Sequence, residues 1–310
     1  MERLITILGP TAVGKTELTL RLAETLSSSV ISGDAYQIYR GLSIGTAKPS
    51  AEELARVPHH LIDILDPDEP YSAAVFQEQA AATIRDCAAK GEIPILSGGT
   101  GFYVQSLLEQ YDFATAEPNE SLRQRLDVLV ATEGEEALKA YAMSLAAKGR
   151  ITLRFTDKHR LYRAIELMER GDYAALTTQT KAGLAYEGPV IGLRRPREEL
   201  YARINLRVDL MVEAGLFEEV EDLLASGVSP YSQAFKGIGY KETLDYFAGK
   251  ATKEEAVAAI KQNTRRFAKR QITWYKRMPY IEWIDIDAAM TGDDIYEKAM
   301  DIVKSHFEYR

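Results

Sequence analysis

The chain has 310 residues, 46% of them hydrophobic and 27% charged, with a formal net charge of −8. That is enough apolar material for one large domain or two smaller ones. A single cysteine, Cys87, excludes an internal disulfide framework and a cysteine-based zinc site, and it points to a reducing compartment.

The opening "MERLITILGP" runs straight into an apolar strand pattern without a signal-peptide layout, and no run of about 18 apolar residues follows anywhere. A cytoplasmic chain with no membrane contact is therefore expected. Strands are predicted at 3–8, 29–32, 60–65 and 93–97, and helices near 15–26, 72–90 and 101–109. This alternation implies a parallel sheet covered by helices. From about 115 the pattern becomes helical throughout, with cap signals at Asn119 and at Thr156 or Asp157. A strand returns at 189–193, helices follow at 197–214 and 216–225, and a last strand is predicted at 280–286. The expected fold is α/β: a P-loop NTPase-like parallel sheet core (1–114 and 188–310) with a mostly helical insertion domain (115–187).

The most specific motif is "GPTAVGKT", Gly9-Pro10-Thr11-Ala12-Val13-Gly14-Lys15-Thr16, between the first strand and the first helix. Its fixed positions arise by chance in roughly 1% of chains this long, given ordinary glycine usage. Backbone N–H groups and a helix N-terminus make an anion site there. Lys15 adds a cation, and the Thr16 hydroxyl is placed to reach a magnesium ion.

Next comes "SGDAYQIYRGLSIGTAKP", 32–49. Asp34 follows the second strand, where an acid faces the phosphate cradle and fits a general base; the plainer reading makes it a helix cap. Gln37 is a side chain that can read a base edge. "SGGTGFYVQSLL", 97–108, has glycines that allow close approach of backbone, with the Thr100 hydroxyl among them. Ser97 and glycines stand where a hydrolysing P-loop protein ends this strand with a magnesium-binding acid, which favours group transfer over NTP hydrolysis.

Toward the C-terminus, Thr252 and Glu255 form a capping box. Val257, Ile260, Phe267 and Trp274 recur at helical spacing as an expected buried face. Arg266, Arg270 and Arg277, with Lys269 beside them, make a basic stripe suited to a phosphodiester backbone. The insertion adds Arg123, His159, Arg160 and Arg163 as further candidate phosphate contacts. Arg203 and Arg207, four apart on one helix, can neutralise a leaving group or pair with nearby acids.

Seven segments, "GPTAVGKT", "GDAYQIYRGLSIGTAKP", "HHLIDILDP", "GGTGFY", "RINLRVDLMVEAGLFEEV", "FKGIGYKE" and "RRFAKRQITWYKR", occur in an order and spacing that resemble the tRNA dimethylallyltransferases over most of the chain. The resemblance implies that the P-loop holds the diphosphate of dimethylallyl diphosphate. The five-carbon group then passes to N6 of the adenosine 3′ of the anticodon (position 37), and pyrophosphate leaves. It further implies Mg2+ at Thr16, Asp34 as base, Thr100 beside the reacting centre and Arg203 or Arg207 on the diphosphate. Asp34, Ala35, Tyr36, Gln37 and Thr100 would meet the extruded adenosine and its neighbours. The basic helix and the insertion would grip the anticodon stem-loop. A monomer is expected. Two other classes are compatible with the motifs alone: an ATP-dependent small-molecule kinase and a non-catalytic P-loop RNA-binding module.

Overall fold

The computed structural model describes residues 1–113, 119–154, 157–177 and 183–307. The chain divides into two compact units, Met1–Glu109 with Leu184–Arg310, and Gln110–Gly183.

The larger unit holds strands β1 (Ile5–Leu8), β2 (Val30–Ser32), β3 (His59–His60), β4 (Ile95–Gly98), β5 (Val190–Arg194) and β6 (Ile281–Asp285). All pair in parallel, in the order β3-β2-β4-β1-β5-β6. Its first helices are α1 (Lys15–Leu26), α2 (Ala51–Arg56), α3 (Ala73–Ala89) and α4 (Gly101–Leu108). The smaller unit contributes α5 (Glu120–Glu133), α6 (Glu135–Lys148), α7 (Lys158–Glu169) and α8 (Ala174–Thr177). The larger unit resumes with α9 (Arg197–Glu213), α10 (Leu216–Ala225), α11 (Tyr240–Phe247), α12 (Lys253–Tyr275) and α13 (Gly292–Phe307).

Strand β1 is buried at every residue. A parallel strand covered by helices on both faces has no solvent side, so it reads as a continuous apolar run. Ile5, Ile7, Val13, Leu20, Leu22, Ile191 and Leu193 pack into one core with Leu200 and Ile204 of α9 and Val303 of α13. Register fixes the geometry of the site. Leu8 lies beside Gly98 on one side and Gly192 on the other, and Ser32 lies beside Ser97. The loops leaving β1, β2, β4 and β5 therefore emerge together at the carboxyl edge of the sheet, where the strand order reverses. Open α/β sheets bind ligands in that crevice.

The expected strand 60–65 is corrected: only His59 and His60 pair with β2. Leu61 and Asp63 take left-handed backbone, with φ of 61° and 53°, which ends the strand. Asp63 N then donates to Gln37 O at 3.1 Å and Ile64 N to Ile38 O at 2.8 Å. The apolar run thus serves as a strap across the loop after β2.

In the smaller unit, Leu122, Leu126, Leu138, Leu145, Leu161 and Ile165 form a separate core. Asn119 caps α5 through Leu122 N at 3.1 Å, and Asp157 caps α7 through Arg160 N at 3.1 Å. The alternative cap, Thr156, lies outside the described residues.

Candidate active site

Lys15 opens α1 directly after Gly14, whose φ of 114° is a left-handed conformation that favours glycine. The Lys15 Nζ donates to Gly9 O at 2.9 Å and Pro10 O at 3.0 Å. Burial and the Arg207 guanidinium push its pKa down to about 7, against the pull of Asp34. Two arginines brace the loop from behind: Arg203 Nε donates to Ala12 O and Arg195 Nε to Val13 O, each at 2.9 Å. Burial and the Arg203 charge also lower Arg207. Arg195 is balanced by an ion pair with Glu199, whereas the mutual repulsion of Lys15, Arg203 and Arg207 is relieved when an anion joins them.

Asp34 does not cap a helix. Its Oδ1 accepts from Tyr36 N at 2.8 Å and Gln37 N at 3.2 Å, closing an Asx turn. Burial raises its pKa more than these two N–H groups and the Lys15 charge lower it. Thr100 Oγ1 accepts from Ala35 N at 3.2 Å, so the loop after β2 and the turn after β4 are tied side by side. This close approach depends on Gly98, where a Cβ would stand 2.5 Å from Gly33 O. Ser97, in place of an acid, bonds Thr19 Oγ1 at 2.8 Å.

Gln37 is held inside its own loop. Its Oε1 accepts from Ser32 Oγ at 2.9 Å, and its Nε2 donates to Thr46 O and Ala47 O at 3.3 and 3.2 Å. Farther along, the Glu219 carboxylate accepts from the backbone N–H groups of Ser43, Ile44 and Gly45 at 2.9, 2.8 and 3.3 Å, and from Tyr240 Oη at 2.6 Å. Lys48 Nζ donates to Tyr39 O at 2.9 Å and Asp63 Oδ1 at 2.5 Å. This irregular segment is thereby pinned along its length.

The basic stripe is exposed at Arg266, Lys269 and Arg270 of α12 and at Arg277 just past its end. Arg270 lies 5.8 Å from the Phe267 ring centroid and Arg277 lies 4.6 Å from that of Trp274. The expected buried face needs correction. Ile260 is buried, but Val257, Phe267 and Trp274 are only partly so, and the buried stripe is Ala256, Ile260, Ala268, Gln271 and Tyr275. Gln271 and Tyr275 occupy that stripe because the P-loop and the glycine turn opposite present carbonyls that need donors.

In the smaller unit, His159 and Arg160 are exposed. Arg123 and Arg163 instead reach the fully buried Glu166 carboxylate, at 2.7 and 3.3 Å. Reading the sequence did not single out Arg195, Glu219, Gln271 or Tyr275. Arg195 carried a usable signal, because a polar side chain just past the carboxyl end of a core parallel strand faces the crevice.

Among the described residues, no cluster of three or more His, Cys, Asp or Glu side chains is placed to hold a metal ion. The exposed Thr16 hydroxyl in the first turn of α1 offers one hard oxygen ligand that would suit a magnesium ion. No helix among the described residues is long and apolar enough to cross a membrane.

The sequence model of the IPP transferase family matches residues 37–278. The chain belongs to the IPP transferase family. A tRNA dimethylallyltransferase of an Exiguobacterium species is 44% identical over 282 residues, covering 91% of this chain and 90% of that protein. One from Alkaliphilus metalliredigens is 40% identical over 308 residues, covering 99% and 98%. The crystal structure of the full-length tRNA isopentenylpyrophosphate transferase from Bacillus halodurans matches with a TM-score of 0.76 at 39% identity, over 99% of this chain and 97% of that one. A eukaryotic dimethylallyltransferase captured acting on tRNA matches with a TM-score of 0.81 at 26% identity, over 100% and 80%. Family membership agrees with the all-parallel sheet and makes the chain a prenyltransferase.

Proposed function

We infer that this chain transfers the dimethylallyl group from dimethylallyl diphosphate to N6 of the adenosine 3′-adjacent to the anticodon of tRNA, releasing pyrophosphate. The observation that carries the reading is the juxtaposition of a cation-rich phosphate cradle with a half-buried carboxylate and a threonine on the neighbouring loops. Lys15, Arg203 and Arg207 neutralise the charge that grows on the diphosphate as the allylic C–O bond breaks. Magnesium, held by Thr16 and the diphosphate when bound, supplies the same kind of charge neutralisation.

The N6 amine attacks the allylic carbon as pyrophosphate departs. Asp34 takes the proton that N6 loses as the C–N bond forms. Its Oδ1 is occupied by Tyr36 N and Gln37 N, which leaves Oδ2 as the accepting oxygen. The raised pKa of Asp34 makes it a better proton acceptor than an exposed carboxylate. Thr100 orients the loop that carries Asp34 and contacts the reacting centre. Ala35 and Tyr36 line the adenine's path, while Gln37 acts through the shape of its loop, its amide being already engaged.

Reaching N6 requires the base to leave the stacked anticodon loop, at a cost of a few kcal/mol. Phosphate contacts from Arg266, Lys269, Arg270 and Arg277 offset that cost. His159 and Arg160 are proposed as further contacts from the smaller unit, where Arg123 and Arg163 act chiefly through Glu166. The test is incubation with labelled dimethylallyl diphosphate, magnesium and unmodified bulk tRNA. Label is expected in the tRNA, and Asp34→Ala is expected to remove nearly all of it. Unlabelled tRNA with the unaltered chain would overturn the reading.

A further inference from the structure

The helix that presents the basic stripe outward also reaches into the site with its buried side, and no reading of the motifs gave those inner residues a task. Gln271 and Tyr275 lie one turn apart on α12 and are both nearly sealed from solvent, at 4% and 1% exposure. The Gln271 Oε1 accepts from Thr11 N of the P-loop at 3.0 Å, and its Nε2 donates to Gly99 O at 2.8 Å. One amide thus spans the loop expected to hold the leaving group and the residue just before Thr100. The Tyr275 hydroxyl lies 3.1 Å from both Gly9 O and Gly99 O and donates between them. These two loops do not meet through backbone bonds of their own, because sheet pairing between β1 and β4 stops at Leu8 and Gly98.

We propose that Gln271, seconded by Tyr275, is a positioning residue that sets the separation between the diphosphate cradle and the Thr100–Asp34 pair. This rests on the prenyl-transfer reading. An amide is suited to the role because it supplies one acceptor and one donor in a fixed plane, matching one N–H and one carbonyl. Losing the bridge strands the half-buried Thr11 N–H and leaves Gly99 O with only the hydroxyl it shares with Gly9 O, which lets the two loops relax independently. Transfer requires the amine, the allylic carbon and the departing oxygen to be aligned, and a displacement of about 1 Å is worth on the order of 100-fold in rate.

The experiment is a double-mutant cycle on transfer by the full chain, using Gln271→Met, Thr100→Val and the pair, with kcat and the KM for tRNA measured separately. Gln271→Met is expected to lower kcat on the order of 100-fold while the KM for tRNA stays within about 3-fold. It is also expected to cost much less once Thr100 is valine, because the displaced turn then has no hydroxyl left to misplace. Additive losses, or a loss confined to the KM for tRNA, would overturn the proposal while leaving the transfer reading intact. No transfer by the unaltered chain would overturn both. Should Gln271→Met not fold, Tyr275→Phe, which removes only one hydroxyl, is used in the same cycle and is expected to show the same non-additivity to a smaller degree.

Discussion

Burial moves Lys15 and Asp34 in opposite directions from their ordinary titration, since it disfavours the charged form of each. Lys15, at about 7, is a cation below that pH and neutral above it. The kcat/KM for dimethylallyl diphosphate is therefore expected to fall above about pH 7, approaching tenfold per pH unit. On the acid side, Asp34 must be ionised to accept a proton, and its raised pKa places that limb above the usual carboxylate range. Rate measurements across the pH range check both limbs. Lys15→Arg keeps its charge throughout, so it is expected to be slower but to lose the alkaline limb. A wild-type profile level up to about pH 9 would show that Lys15 does not titrate in the free enzyme. Separately, Asp34→Asn preserves size and the turn-forming oxygen but cannot take a proton. A loss of about 100-fold to 10,000-fold in kcat with little change in either KM is expected from steady-state kinetics.

Among the elements, α10 and α12 carry the next predictions. Glu219 of α10 serves three successive backbone N–H groups of the loop that begins at Asp34. Glu219→Ala leaves them without that acceptor and is expected to destabilise the fold by about 1–3 kcal/mol in urea unfolding, with a loss of activity that Glu219→Gln partly restores. On α12, Arg270→Ala or Lys269→Ala is expected to weaken tRNA binding without regard to loop sequence. Each is also expected to reduce the slope of log affinity against log salt by about 0.7–0.9. Unchanged salt slopes would mean that the stripe does not touch phosphate.

The legibility of these elements varied for physical reasons. Core strands and the helices between them lay close to their expected spans, because a two-sided buried strand and an amphipathic helix leave strong periodic signals. The run 60–65 misled because a short apolar run serves a loop strap as well as a strand, and the left-handed Leu61 and Asp63 leave no mark in composition. Helix α13 went unread, and the buried side of α12 was assigned to its large apolar residues rather than to Gln271 and Tyr275. A buried glutamine is visible only once the carbonyl and N–H that it serves are known. The same holds for Arg123, whose partner Glu166 lies 43 residues away.

For the whole molecule, strand order 3-2-4-1-5-6 brings four chain-distant loops to one crevice, and the motifs that seemed separate along the sequence meet there. The phosphate cradle, Asp34 and the threonine turn belong to the larger unit, so that unit alone holds the groups proposed for chemistry. What the sequence could not convey is which residues hold those loops apart, since that depends on contacts across as many as 266 positions. The most direct test of the account is identification of the product nucleoside. After reaction with dimethylallyl diphosphate, magnesium and unmodified tRNA, the RNA is digested to nucleosides and analysed by mass spectrometry, with ATP consumption followed in parallel. The account predicts adenosine carrying a five-carbon group on N6, derived from the position 3′ of the anticodon, and no ATP turnover. Unmodified adenosine together with ATP hydrolysis or phosphoryl transfer would contradict it.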